Sequence, residues 1–458
     1  MRTWTPDLGT DGKTLCVQVV EAVRRDIVSG TLEPGVRMPT QRDLARDLGI
    51  GIGTVTRAYG EAERLGLLCG RVGRGTFVAG GVASAATSID LSMNMPSLAP
   101  AAGRLAEALA RLRRTDLAEQ VGLAPHAGLD RHRQAAADWL ARAARFENAD
   151  WRRLLICVGA QQAMSLALDE ICRPGDSIMV EAATFHGLRA IAAHRGYALT
   201  GLPMDRDGLC PEALDRAAAE TGSRVVYVQP TLQNPTARSM SRARREDIVR
   251  VARRHQLWIL EGDIYAALAG AGGEPAPDLP PLASLAPERT FYASSVSKTL
   301  APGLRYGFLV APDPQHFERL LGAMRATCFS PCALGPMMAA QWIADGTADT
   351  ILAEVAREAV GRTALACGIL GAQLERPSFP ASLHAWLPAG ELEAERIAGR
   401  ARDQGVTLTP PSALLVDGAH VSGLRLCLNA PPDRRELERA LHGVAAALTQ
   451  DGTRQSVV

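Results

Sequence analysis

Leu15, Val19, Val23 and Ile27 recur every fourth residue with Ala22 beside them, which draws one apolar stripe along a helix. Ser29-Gly30 is its stop signal, because glycine accepts the left-handed conformation at a helix C-terminus. LEPGVRMPT then reads as a loop with Pro34-Gly35 as its turn. Thr40 caps a second helix, QRDLARDLG; Asp43, three positions on, makes the start resemble a capping box, and Gly49 closes it. A third helix is expected from about Gly53 to Leu65. After Gly66, LLCG and TFV read as two short strands around a glycine-rich tip with Arg71 and Arg74. Three helices and a hairpin are the parts of a winged helix-turn-helix, here over residues 12–78.

Residues 79–88, AGGVASAATS, are small and uncharged, as in a flexible connector. From Ile89 the pattern changes. LLICV (154–158), SIMVE (177–181), RVVYVQP (224–230), LWILEGD (257–263), FYASSVS (291–297) and YGFLVAP (306–312) are short apolar strands. QQAMSLALDEI and a stretch ending near His255 have helical spacing between them. Strands alternating with helices predict an α/β domain with a mainly parallel sheet, in which ligands sit beyond the C-terminal strand ends. Gly159, Asn234, Asp263 and Lys298 all fall at such ends. Beyond about Ala323, helices plus SLHAWLP and GLRLCLN predict a smaller α+β lobe, so that residues 89–450 divide into a large lobe (89–323) and a small one (324–450).

Composition narrows the classes. At 458 residues the chain is long enough for several domains, and 47% hydrophobic with 22% charged is ordinary for a globular protein. No apolar run reaches membrane-spanning length, MRTWTPDLGTDGK lacks the apolar core of a secretory signal, and the nine cysteines lack zinc spacing. The expectation is a cytoplasmic protein with reduced thiols, no metal and no membrane contact. A net charge of +1 exerts no overall pull on nucleic acid, so placement decides. Arg42, Thr54, Thr56, Arg57, Arg71 and Arg74 fall where a winged helix meets double-stranded DNA.

The chain has 50 lysines and arginines, and only Lys13 and Lys298 are lysine. Arginine stays charged and cannot act as a nucleophile, whereas a desolvated lysine can lose its proton and attack a carbonyl. A strand-end lysine kept amid arginines therefore points to a Schiff base, and pyridoxal phosphate (PLP) uses one and also needs a phosphate anchor. Ser295, Ser297 and Arg305 suit the phosphate, as do the N–H groups where Gly159, Ala160 and Gln161 open a helix. Asp263 suits the pyridine nitrogen, Asn234 and Tyr265 the ring oxygen, and Phe185 the ring face.

Two resemblances follow from these words. RRDIVSGTLEPGVRMPTQRDLARDLG with GTVTRAYGEAERLGLLCGRVGRGTFV resembles the DNA-binding domain of the GntR family. Where many relatives open the third helix with Ser-Arg, this chain has Gly51-Ile52. VGAQQA, RPGDSIMVE, PTLQNPT, EGDIY, SVSKTLAPGLRYGF and GLRLCL resemble a fold-type I aminotransferase. That resemblance implies that Lys298 carries the cofactor, that the other residues serve it as named, and that Arg425 grips a substrate carboxylate. It departs at NPTA for NPTG, and at Phe185 where tyrosine is frequent. The fusion is similar to the MocR-type regulators, a GntR subfamily. It implies a homodimer that binds promoter DNA and senses an amine or amino acid; the alternative is a working aminotransferase with a secondary DNA-binding head.

Overall fold

The computed structural model describes all residues except 1–3, 7, 9–13, 29–30, 33–34, 65–66, 72–74, 79–87, 113–121, 272–277, 419 and 450–458. The chain divides into two units, Met1–Ser88 and Ile89–Val458.

The first unit contains α1 (Leu15–Val28), α2 (Gln41–Leu48), α3 (Ile52–Arg64) and the antiparallel strands β1 (Leu68–Arg71) and β2 (Gly75–Val78). Val19 and Val23 from the predicted stripe pack with Leu44, Val55, Tyr59 and Ala62, and Ala22 is buried, whereas Leu15 at its start is exposed. At α2 the Thr40 hydroxyl accepts the Asp43 N–H at 3.2 Å, and Gly49 closes the helix with φ 63°. Helix α3 begins at Ile52, one residue before the expected start. The Tyr59 hydroxyl donates to the Pro39 carbonyl at 3.0 Å, tying α3 to the loop ahead of α2. That loop also holds the hairpin, since Met38 N–H donates to Thr76 O at 2.9 Å and Val78 N–H to Val36 O at 2.8 Å. The stop signal at Ser29-Gly30 and the hairpin tip at 72–74 lie outside the described residues.

In the second unit seven strands form one sheet: β3 (Leu154–Val158), β4 (Ser177–Glu181), β5 (Ala198–Leu202), β6 (Val225–Val228), β7 (Trp258–Gly262), β8 (Thr290–Ser295) and β9 (Tyr306–Val310). Their order is β3-β9-β8-β7-β6-β4-β5. Only β9 runs against its neighbours, so the sheet is mainly parallel, as expected. Strands β6, β8 and β9 are buried at every position because hydrophobic clusters cover both faces. Strand β5, ALTGL, was not among the predicted strands. It is one of the two edge strands, mostly half-exposed, and lacks the apolar run that marks the others.

Helix α4 (Gly159–Ile171) follows β3, α5 (His186–Arg195) follows β4, and α6 (Arg242–Arg254) lies between β6 and β7. The smaller lobe pairs β10 (His384–Pro388) with β11 (Gly423–Cys427) antiparallel, placing Trp386 opposite Arg425. Helices α7 (Thr347–Leu370), α8 (Glu391–Asp403) and α9 (Arg434–Thr449) pack with it. Ile89 and Leu91, far upstream, join this same cluster, and Ile89 pairs with Val406 in parallel.

Arg245 of α6 is fully buried and acts as a structural clamp. It donates to the carbonyls of Met240 (3.2 Å), Pro280 (3.1 Å) and Pro230 (3.0 Å) and to the Thr231 hydroxyl (2.9 Å), fixing the loop that follows β6. Removing it strands these acceptors away from water. We expect Arg245→Leu to lower the unfolding free energy by about 3–5 kcal/mol, measured by urea denaturation.

Candidate functional site

The C-terminal ends of the sheet strands deliver the site. Strand β8 ends at Ser295, whose hydroxyl accepts the Ser297 N–H at 3.3 Å and so tightens the turn that brings round Lys298. Strand β7 ends at Gly262 and releases Asp263 and Tyr265. Strand β3 passes directly into α4 at Gly159, and Phe185 caps α5 just beyond β4. A cavity of about 140 Å³ opens between these ends, lined by Ala160, Gln161, Phe185, Ser295, Ser297, Lys298 and Arg305.

Small residues make this arrangement possible. Gly159 has φ 76°, and a Cβ there would stand 2.3 Å from Nη2 of Arg305, which donates to Val158 O at 2.9 Å. A Cβ at Gly187 would lie 2.2 Å from the Phe185 ring and 2.4 Å from Oε1 of Gln161. The N–H of Gly159 is not free as the sequence suggested, because it donates to the Arg305 carbonyl at 3.1 Å. Ala160 and Gln161, next in the first turn of α4, line the cavity.

Asn234, Tyr265 and Arg425 form a second cluster. Arg425 is buried and donates to Asn234 Oδ1 at 2.8 Å, Ser92 O at 2.7 Å and the Thr409 hydroxyl at 3.0 Å. Tyr265 accepts from Asn94 Nδ2 at 2.9 Å, and Lys298 Nζ donates to the Asn94 carbonyl. Asn94 thus joins the two clusters, and nothing in its sequence context, SMNMPS, marks it. His384 is a second residue that sequence reading missed. Its Nδ1 faces Asn94 Nδ2 at 3.0 Å and its Nε2 faces the Gln233 carbonyl at 3.0 Å. A carbonyl only accepts, so Nε2 carries the hydrogen; burial pushes this imidazole down to about 3, so it stays neutral.

The electrostatics are one-sided. Lys298, Arg305 and Arg425 bond to neutral oxygens and to no carboxylate among the described residues. Burial, together with the charges of Arg425 and Arg305, lowers the Lys298 amine to about 8. Asp263 is raised by burial, against the opposing pull of Arg245, Thr231 and Tyr292. Its Oδ1 is buried without a hydrogen-bond partner, and Tyr292 approaches Oδ2 at 3.4 Å.

These residues fit PLP. An orphaned carboxylate oxygen suits a ring N–H, an enclosed amine of low basicity suits an aldehyde, and a cation with two serines suits a phosphate. No group of metal-ligating side chains occurs among the described residues.

In the first unit, Arg42, Thr56 and Arg57 are exposed and Thr54 is half-buried. The Thr56 hydroxyl lies 2.8 Å from Gln41 Oε1 and 2.9 Å from Ile52 O, linking α3 to the start of α2. Arg57 Nε donates to Gly53 O at 3.3 Å. Only the backbone of Arg71 is described, and Arg74 lies outside the described residues. Ile52, at the start of α3, is exposed.

Comparison with known proteins agrees with both halves. Residues 86–444 match the family model for aminotransferase class I and II, and residues 15–78 that for bacterial regulatory proteins of the gntR family. The chain is 29% identical over 342 residues to the HTH-type pyridoxine biosynthesis transcriptional regulator PdxR of Corynebacterium glutamicum, covering 72% of this chain and 73% of that one. It is 27% identical over 375 residues to the probable rhizopine catabolism regulatory protein MocR of Rhizobium meliloti, covering 74% of each. Among solved structures, Pyrococcus horikoshii kynurenine aminotransferase, crystallised with PMP, superimposes with a TM-score of 0.71 at 21% identity, over 79% of this chain and 91% of that one.

The lowered Lys298 pKa sets a pH dependence. The neutral amine is the nucleophile, so capture of PLP by the cofactor-free protein should speed up as pH rises, with a midpoint near 8 instead of the ordinary lysine value of about 10.4. Stopped-flow absorbance across a pH series reads this directly; a rate still climbing steeply beyond pH of about 9.5 contradicts it.

Proposed function

The chain belongs to the aminotransferase class I and II family and carries a gntR-family domain ahead of it; from that premise we propose that it is a PLP-dependent transcriptional regulator that senses an amino acid through Lys298 and Arg425. The observation that carries the reading is Arg425: a buried guanidinium that, among the described residues, donates to neutral oxygens and to no carboxylate, in the same site as an enclosed lysine. A buried cation of this kind is costly until an anion reaches it, and a planar guanidinium suits a carboxylate fork.

When bound, PLP supplies an aldehyde that condenses with amines and a ring that withdraws electrons. Lys298 supplies the nucleophile that holds it and, once displaced by an incoming amine, is free to carry a proton. Asp263 would keep the ring nitrogen protonated, Asn234 and Tyr265 would address the ring oxygen, and Phe185 would pack on the ring face. Arg305, Ser295, Ser297 and the first turn of α4 would hold the phosphate. In the DNA-binding head, Arg42, Thr54, Thr56, Arg57, Arg71 and Arg74 meet double-stranded promoter DNA, with α3 in the major groove and the hairpin as the wing. No helix among the described residues is long and apolar enough to cross a membrane, and promoter binding sets the protein to work in the cytoplasm.

The working form is a homodimer. Support comes from an apolar groove of about 590 Å³ that includes Leu98, Leu105, Leu334 and Trp342 and reaches Arg305. Leu98, Leu105 and Leu334 are exposed, an arrangement typical of surfaces that meet a partner. A dimer also presents two reading heads to a repeated operator.

A visible-absorption titration with PLP, followed by a panel of amino acids and plain amines, tests the reading. Lys298→Ala should abolish covalent capture of the cofactor. Arg425→Gln should weaken amino acids roughly 10- to 100-fold while leaving amines without a carboxylate unchanged. The active amino acid should also alter the mobility shift of the chain's own promoter DNA. Steady release of a keto acid would instead favour an aminotransferase with a secondary head, which the same residues could serve.

A further inference from the structure

The strand of chain that leaves the linker enters the ligand site. Ser88 is the last residue of the first unit. Directly after it, Ile89 N–H donates to Gly405 O and Leu91 N–H to Thr407 O, both at 2.9 Å, and Cys427 N–H donates to Leu91 O at 2.9 Å. Up to this point the segment is stitched to the small lobe by backbone bonds. The next three residues are held differently. Ser92 O accepts from Arg425 Nη2 at 2.7 Å, with the Thr409 hydroxyl at 3.3 Å and the Cys427 thiol at 3.4 Å as weaker companions. Asn94 O accepts from Lys298 Nζ. Asn94 Nδ2 reaches both Tyr265 and His384, while its Oδ1 is buried without a partner.

We infer that Ser92–Asn94 is the reporter of effector occupancy, because the Ser92 carbonyl is anchored by Arg425, which the effector carboxylate claims, and the Asn94 carbonyl by Lys298, which the cofactor claims and the effector amine releases. This inference rests on the sensor reading above. A carboxylate that forks onto Arg425 competes with Ser92 O for Nη2, and a charged acceptor outcompetes a carbonyl. Joining the Lys298 nitrogen to an aldehyde carbon forms one C=N bond and expels the aldehyde oxygen as water. The three N–H bonds of the ammonium fall to one at most, so the cofactor alone weakens the hold on Asn94 O, and an effector amine that displaces Lys298 returns it. The effector carboxylate therefore loosens the chain at Ser92, four residues from Ser88 and the linker to the DNA-binding head, while Asn94 O regains Lys298. Such a segment gives the ligand different affinities for two arrangements of one chain, which is what coupling to DNA requires.

Hydrogen–deuterium exchange on the full-length protein tests this, read on a peptide spanning residues 88–95. Two stable probes are compared: pyridoxamine phosphate, which has no carboxylate, and N-(5′-phosphopyridoxyl)-L-alanine, which carries one. Binding of each is followed separately by tryptophan fluorescence. The expected result is exchange on the order of 10-fold faster in this peptide with the alanine adduct and little change with pyridoxamine phosphate. Arg425→Gln should show raised exchange without any probe. Binding of the adduct with no change in 88–95 overturns this inference and leaves the sensor reading standing. Failure of both probes to bind overturns the sensor reading and this inference with it.

Discussion

An uncompensated pair of cations organises the ligand site. Arg425 and Lys298 are drawn out of water, donate to backbone and amide oxygens, and meet no carboxylate among the described residues. Neutral oxygens satisfy the geometry of an N–H without neutralising its charge. The consequence is visible at Lys298, whose amine falls to about 8 where ordinary lysines stay protonated. The arrangement is stable with neutral partners and becomes more favourable with an anion, which is the physical condition for a site that responds to a charged ligand.

Each part of the second unit contributes to holding those cations. The parallel sheet brings the ends of β3, β6, β7 and β8 to one edge, so that residues 159, 234, 263 and 298 meet although more than a hundred positions separate the first from the last. Buried Arg245 fixes the loop after β6 and adds a positive charge facing Asp263. The small lobe supplies Arg425 from β11 and, across the ladder, His384 from β10. The chain entering from the DNA-binding head runs between these elements and accepts hydrogen bonds from both cations.

Much of this was legible beforehand. The apolar runs of β3, β4, β6, β7, β8 and β9 are strong because both faces of the sheet are covered, so few polar residues interrupt them. Strand β5 escaped notice for the opposite reason: at the sheet edge its side chains are half-exposed, and Gly201 sits where a Cβ would lie 2.9 Å from Asp417. Lys298 stood out because its chemistry excludes arginine in a chain that uses arginine almost everywhere else. Asn94 and His384 carried no such mark. An asparagine between methionines and a histidine in an apolar strand gain meaning only from what lies opposite them.

The amino-acid sequence by itself determined the two-part organisation, the order of most strands and helices, and which lysine is the candidate for a reactive amine, since these depend on local periodicity, turn chemistry and the reactivity of single side chains. Tertiary structure alone decided that Ser92 and Asn94 face the two cations, that Ile89 and Leu91 belong to the core of the far lobe, and that the first N–H of α4 is already taken by Arg305. The reason is that hydrogen bonds of backbone carbonyls and burial of single polar groups arise between segments hundreds of residues apart, and no local pattern in the chain encodes which of them will meet.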